Sequence, residues 1–227
     1  MKKIIFAAFF LLMLGLGIPQ LVVAQNKNKG KEVRVEMVTT EGRMVFVLFN
    51  DTPQHRDNFL KLVKEHTYDS LLFHRVIKNF MIQGGDPQSR HARPGQMLGD
   101  GTLGYTVPAE FRKEHIHRKG ALCAAREGDN VNPEKASSAS QFYIVQGQVW
   151  DDNMLDRMEK YYGKAFTAEQ RKVYTTEGGS PHLDGEYTVF GQLVEGMEVV
   201  DRIAAVKTGV ADRPVNDVRI LSVKVIK

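Results

Sequence analysis

The sequence predicts a mainly β domain, either a sandwich or a closed barrel, on three observations. Short runs rich in β-branched and aromatic residues recur at close intervals, at 71–77, 80–83, 121–125, 142–145, 188–193 and 218–226. Glycine and proline punctuate the stretches between them, the pattern of many short strands joined by turns. Helical periodicity is confined to a few short segments that interrupt this series.

Val33, Val35 and Met37 alternate with Arg34 and Glu36, residues 39–42 offer turn chemistry, and Met44 to Phe49 resumes as a more apolar run. This is a hairpin. Thr52 followed by Pro53 marks a helix start, because proline is tolerated where the N–H would lack a partner, and Phe59, Leu62 and Val63 recur at helical spacing. A helix over 53–66 is expected. Residues 148–180 break the β pattern. There Asp152 opens a run in which Leu155, Met158 and Tyr162 share a face before Gly163 stops it. Thr167 and Gln170 form a capping-box pattern ahead of a second short helix that Gly178 and Gly179 close. Together they predict an αα-hairpin inserted in a loop, too small to be a domain, with Trp150 as a packing anchor. Met197 to Val206 is a further helix, with Val199, Val200, Ile203 and Ala204 on one face.

At 227 residues, 26% of them charged, the chain suits one ordinary globular domain and is neither disordered nor fibrous. A single Cys excludes an internal disulfide and a multi-Cys zinc site. Residues 1–24 stand apart: two lysines, then an apolar run, then small residues ending at Ala24. This predicts a cleaved signal peptide, because about 15 apolar residues fall short of the ~20 needed to span a bilayer. Residues 25–31 would then be a flexible basic tether and 32–227 the domain. Two lysines ahead of a short apolar core suit bacterial secretion, so an exported, periplasmic protein is expected. Removing the leader takes the formal charge from +4 to +2, which leaves no footprint for nucleic acid. No lasting membrane insertion is expected after cleavage, and the protein is expected to be a monomer.

Gly99 to Gly104 fits G-x-G-x-x-G, but no apolar strand precedes it and no helix follows, so a dinucleotide site is rejected in favour of a glycine-rich loop. His115 and His117 would share a face on a strand, yet no third ligand stands nearby, so they are expected to be solvated loop histidines. No metal or cofactor is expected. Cys123, between Leu122 and Ala124, is read as a small buried hydrophobe. Signatures of serine hydrolases and nucleotide triphosphatases are missing from the sequence. The informative block is FHRVIKNFMIQGGDP, residues 73–87. Alternation puts Arg75 with Ile77 on one face of a strand, and Met81 with Gln83 on one face of the next. A guanidinium among so many apolar residues either serves a site or pairs with an acid such as Asp86, and both readings stay open on this block alone.

That block, SSASQFYIV (137–145) and LDGEYTVFGQLVEGMEVVDRI (183–203) together resemble the cyclophilin family of peptidyl-prolyl cis-trans isomerases from about residue 33 onward, the insertion apart. The resemblance implies a closed eight-stranded antiparallel barrel capped by two helices, with its groove on the outside. It implies that Arg75 is the catalytic arginine and Gln83 the glutamine that binds substrate backbone. Phe80, Met81 and Leu183 would wall the proline pocket, and Ala125, Arg126 and Gln141 would line the groove for the residues before proline. Three positions depart from the commonest pattern around the pocket: Tyr143 replaces a phenylalanine and adds a hydroxyl at the rim, His182 stands where many members have tryptophan, and Tyr187 where many have histidine. Arg126 sits where asparagine is frequent. The implied activity is rotation about Xaa-Pro bonds, with proline-containing peptides and unfolded exported proteins as partners. Two competing readings are a chaperone that holds proline segments with isomerisation incidental, and a scaffold domain, for which an intact Arg75 and Gln83 would have no use.

Overall fold

The computed structural model describes residues 32–227, so the leader and tether expected over 1–31 lie outside the described residues. Strands β1 (Val33–Thr39) and β2 (Gly42–Leu48) form the hairpin at the start. Thr39 Oγ accepts from the N–H groups of Glu41 and Gly42, which closes its turn. Helix α1 (Pro53–Lys64) leads to β3 (Phe73–Ile77), β4 (Met81–Gly84), a two-residue β5 (Thr106–Val107) and β6 (Ala121–Ala124). A two-residue β7 (Ser137–Ser138) pairs with β5, and β8 (Phe142–Val145) follows. Helices α2 (Asp152–Tyr162) and α3 (Ala168–Thr176) precede β9 (Val189–Glu195), α4 (Met197–Ala204) and β10 (Ile220–Ile226).

Eight strands make one antiparallel sheet in the order β10-β1-β2-β9-β6-β8-β4-β3. It curls around a single core, in which the buried faces of α1 (Phe59, Leu62, Val63) and α4 (Val199, Val200, Ile203) meet Val35, Phe46, Leu122, Phe142 and Ile144. The expected closed barrel is corrected to a curled sheet. Its edge strands β3 and β10 share no ladder; they meet only at their first residues and the segments just ahead of them. There Ser70 N donates to Ile220 O, Ile220 N to Leu71 O and Phe73 N to Val218 O, around one bridge between Leu72 and Arg219.

The expected insertion contains two helices joined by residues 163–167. Asp151 caps α2, accepting from Met154 N at 2.7 Å, and Gly163 ends it in the left-handed region at φ 64°. Thr167 and Gln170 form a complete capping box on α3. Arg171 bonds Asp152 and Asp156 across the pair, and Trp150 Nε1 donates to Gly179 O at 2.9 Å. Leu155 and Tyr174 are the inward anchors, whereas Tyr162, expected on the apolar face, is exposed.

Thr52 makes no side-chain cap on α1. Glu110 supplies it instead, accepting from Gln54 N at 3.2 Å and His55 N at 3.0 Å, with His55 Nδ1 at 2.7 Å. Burial opposes ionisation of Glu110, but the His55 ring and these two N–H groups hold its carboxyl below the usual carboxylate range. Burial in turn pushes the His55 imidazole down, so the ring is neutral, and its Nε2 meets Ser137 Oγ at 2.9 Å. Breaking a buried pair strands its partner. Glu110→Ala is therefore expected to cost about 3 kcal/mol in urea unfolding, and an unchanged midpoint would remove the carboxylate from this role.

The register between β3 and β4 shifts at Phe73 to Arg75, and this irregularity leaves His74 out of the ladder. Its ring is buried, and neither nitrogen has a protein partner among the described residues. Burial, opposed by the charge of Asp86, pushes the imidazole down to about 4. An unfolded histidine titrates near 6.5, so between there and about pH 4 the unfolded chain binds a proton that the folded chain refuses. Stability from this group is complete above that window and falls as pH drops through it, by about 3 kcal/mol in full. Urea midpoints at pH 7 and pH 4.5 are expected to differ less for His74→Gln than for the wild type, and equal differences would contradict a neutral buried ring.

Candidate active site

Antiparallel pairing places directly opposed residues on one face of the sheet, and two transverse rows result. Val76, Ile82, Ile144 and Leu122 lie opposite one another across β3, β4, β8 and β6, and all four are buried in the core. One residue along, Arg75, Gln83, Tyr143 and Cys123 form the neighbouring row and face the other way. Cys123, Tyr143, Met81 and Val145 belong to a separate apolar cluster on this outer face, flanked by Ile77, Phe80, Leu183 and Tyr187. Cys123 is a buried hydrophobe, as expected, and burial pushes its thiol well up.

Over this cluster opens a cleft of about 310 Å³, lined by Arg75, Phe80, Met81, Gln83, Ala125, Arg126, Tyr143, Leu183 and Tyr187 among others. Nine of the eleven residues singled out from the sequence therefore share one hollow. The other two stand behind it. His182 packs its ring 5.5 Å from that of Phe80, and burial holds its imidazole below the ordinary value. Gln141 accepts from Gln83 Nε2 at 3.1 Å and donates to the carbonyls of Gly99 and Gly101 at 2.6 and 2.9 Å, tying the Gln83 amide to the glycine loop.

Asp86 is committed to that loop and does not pair with Arg75. Its carboxylate accepts from Gly99 N at 2.6 Å and Gln88 N at 2.7 Å, and Gly101 lies so close that a Cβ there would meet Asp86 Oδ1 at 1.9 Å. The acid beside Arg75 is Asp212, with Oδ2 3.6 Å from Arg75 Nε. Ala211 and Asp212 both sit in the left-handed region, at φ 55° and 57°, a conformation that costs non-glycine residues about 1–2 kcal/mol each. No sequence signal marked Asp212, because it lies far along the chain in a short 3-10 turn, Val210–Asp212. His74, Leu98, Gly99 and Ala211 also line the cleft and were not singled out.

The Arg75 side chain is 43% exposed, which leaves its guanidinium open to a ligand. Arg126 is the opposite case. Its head is consumed by Glu186 O at 2.8 Å, Glu127 O at 2.9 Å and Asp129 at 2.6 Å, and it stacks 4.5 Å above the Tyr187 ring. The Tyr143 hydroxyl does not reach the rim as expected. It points inward to His117 Nε2 at 2.9 Å, so the cleft receives ring carbon. His117 is accordingly fully buried, and His115 stacks on Phe49 at 3.9 Å while meeting Asp51 Oδ1 at 2.7 Å; neither is the solvated histidine expected.

Comparison with known proteins agrees with this geometry. The family model for cyclophilin type peptidyl-prolyl cis-trans isomerase/CLD matches residues 34–225. A Staphylococcus haemolyticus protein provisionally named a peptidyl-prolyl cis-trans isomerase is 38% identical over 195 residues, covering 86% of this chain and 91% of its own. A Staphylococcus epidermidis protein with the same provisional name is 39% identical over 195 residues, with 86% and 92% covered. Among solved structures, a Cryptosporidium parvum cyclophilin type peptidyl-prolyl cis-trans isomerase superposes with a TM-score of 0.64 at 24% identity, covering 86% of this chain and 98% of that one. The same parasite protein crystallised in the presence of the dipeptide Ala-Pro gives a TM-score of 0.61. With its curled eight-stranded sheet and its match over nearly the whole described chain, the protein belongs to the cyclophilin-type peptidyl-prolyl cis-trans isomerases.

Proposed function

We propose that the outer cleft is where this isomerase acts, with Arg75 as its catalytic residue and Gln83 as the anchor for substrate backbone. One observation carries the reading: an open guanidinium and the apolar side chains of Phe80, Met81, Tyr143 and Leu183 line the same cleft. Rotation about an Xaa-Pro bond is slow because amide resonance must be lost, at a barrier of about 18–20 kcal/mol. No nucleophile is needed. In the twisted transition state the prolyl nitrogen becomes pyramidal and basic, so a donor that meets its lone pair only then lowers the barrier without tightening the ground state.

Arg75 suits this task because a guanidinium stays protonated and holds several donors in a rigid fork. Asp212, against Nε, orients the fork while leaving its outer nitrogens to the substrate. Phe80, Met81, Tyr143 and Leu183 grip the proline ring, Gln83 holds a carbonyl, and Ala125 with the Arg126 main chain supports the residues before proline, next to Tyr187. A thousandfold acceleration corresponds to about 4 kcal/mol, within reach of one fixed charge beside a dry pocket.

We further read α2 with α3 as a helical hairpin clasped by Arg171. The leader-like residues 1–24 support an exported, periplasmic protein that acts on proline-containing segments of unfolded exported proteins.

Arg75→Ala is expected to lower kcat/KM for an Xaa-Pro peptide at least about a hundredfold with the fold retained, and Arg75→Lys is expected to recover little of it. A well-folded alanine variant with unchanged turnover would overturn the role of Arg75. Mass spectrometry of the exported protein is expected to find Gln25 at its N-terminus, and a chain still beginning at Met1 would overturn the leader reading.

A further inference from the structure

A chain of buried polar groups runs from the inserted helices to the wall of the cleft. Tyr174, fully buried on α3, donates its hydroxyl to Asp184 Oδ2 at 2.5 Å. The other oxygen of Asp184 accepts from the His117 main-chain N–H at 2.8 Å and lies 2.9 Å from His117 Nδ1. His117 Nε2, in turn, is 2.9 Å from the Tyr143 hydroxyl. A carboxylate only accepts, so the Tyr174 O–H and His117 Nδ1–H both donate to Asp184, and with the ring in that neutral tautomer Nε2 accepts the Tyr143 O–H. Burial pushes both phenols up, so each remains a donor.

Tyr143 contributes ring carbon to the cleft and its hydroxyl to this relay. The Tyr143 hydroxyl lies on the axis of the second side-chain torsion, so a hydrogen bond there holds the position of the ring through the first torsion and leaves its plane to packing. The ring stands edge-on to Tyr187, 5.8 Å away at 84°, so a shift of the ring would alter the space left for a proline. Resting on the site proposed above, we propose that Tyr174, Asp184 and His117 are positioning residues, through which the inserted helix sets the position of the Tyr143 ring and thereby the fit of the proline pocket. The insertion is then a part of the active site that never touches substrate.

The test is a double-mutant cycle on turnover of an Ala-Pro tetrapeptide by the full chain. Tyr174→Phe keeps the buried ring and removes only the hydroxyl, Tyr143→Phe removes the end of the relay, and far-UV circular dichroism confirms that each variant folds. Tyr174→Phe is expected to raise KM about fivefold with kcat within about twofold, and to change neither by more than about 1.5-fold in the Tyr143→Phe background. A general loss of packing would act alike in both backgrounds. Equal effects in the two, or no effect of Tyr174→Phe alone, would overturn the relay while leaving the isomerase site standing. A wild type that turns over no Xaa-Pro peptide, or an Arg75→Ala control that works as well as wild type, would overturn the site and the relay with it.

Discussion

The cleft depends on cross-strand register. Val76, Ile82, Ile144 and Leu122 are driven into the core by their apolar side chains, and a slip of one residue would turn every one of them to solvent. Because side chains alternate, burial of that row forces Arg75, Gln83 and Tyr143 outward, opposite one another, on adjacent strands. The hydrophobic effect thus sets the spacing of polar groups it never touches. Nothing at the cleft surface is asked to hold itself in place.

What register cannot do, buried polar side chains do over longer range. Asp86 and Gln141 pin the glycine loop from two sides, and Gln141 also restrains Gln83. Glu110 serves α1 in the same way from another loop. Each group is shielded from water and is satisfied only when its loop is home, so displacing a loop strands a polar group and costs more than the bond itself contributes. Strain is tolerated beside these restraints, as at Ala211 and Asp212 next to Arg75.

Much of this was legible in the sequence, because period and alternation are local. The hairpin at 33–49, the helices, the capping box at Thr167 and Gln170 and the shared face of Met81 and Gln83 all follow from near neighbours along the chain. The site residues came instead from family resemblance, and the cleft gathers nine of them. What stayed hidden was direction and distant partnership. The sequence marks the start of α1 at Thr52 and Pro53, but the side chain that caps its first turn is Glu110, 56 residues beyond Gln54. It offered Asp86 as a partner for Arg75, and Asp212 stands there instead. A tyrosine hydroxyl at 143 can point either way, and only His117, itself misread as solvated, shows that it points in. The two ends of the sheet meet over three hydrogen bonds, too short an encounter for any pattern in the chain to announce.

The inserted helices leave the sheet and return to it through a single neck. Gln148 and Gly179 form a bridge, Gly179 N donates to Gln148 O at 3.0 Å, and a Cβ on Gly147 would lie 2.5 Å from the Gly179 Cα. With its ends already touching, such an excursion asks little of the host, since doubling the length of a loop costs only about 0.6 kcal/mol in closure entropy. A longer or shorter appendage would therefore disturb the flanking strands little. On the relay proposed above, the fit of the pocket is adjustable from outside the curled sheet, through an appendage whose neck is pinched between Gly147 and Gly179.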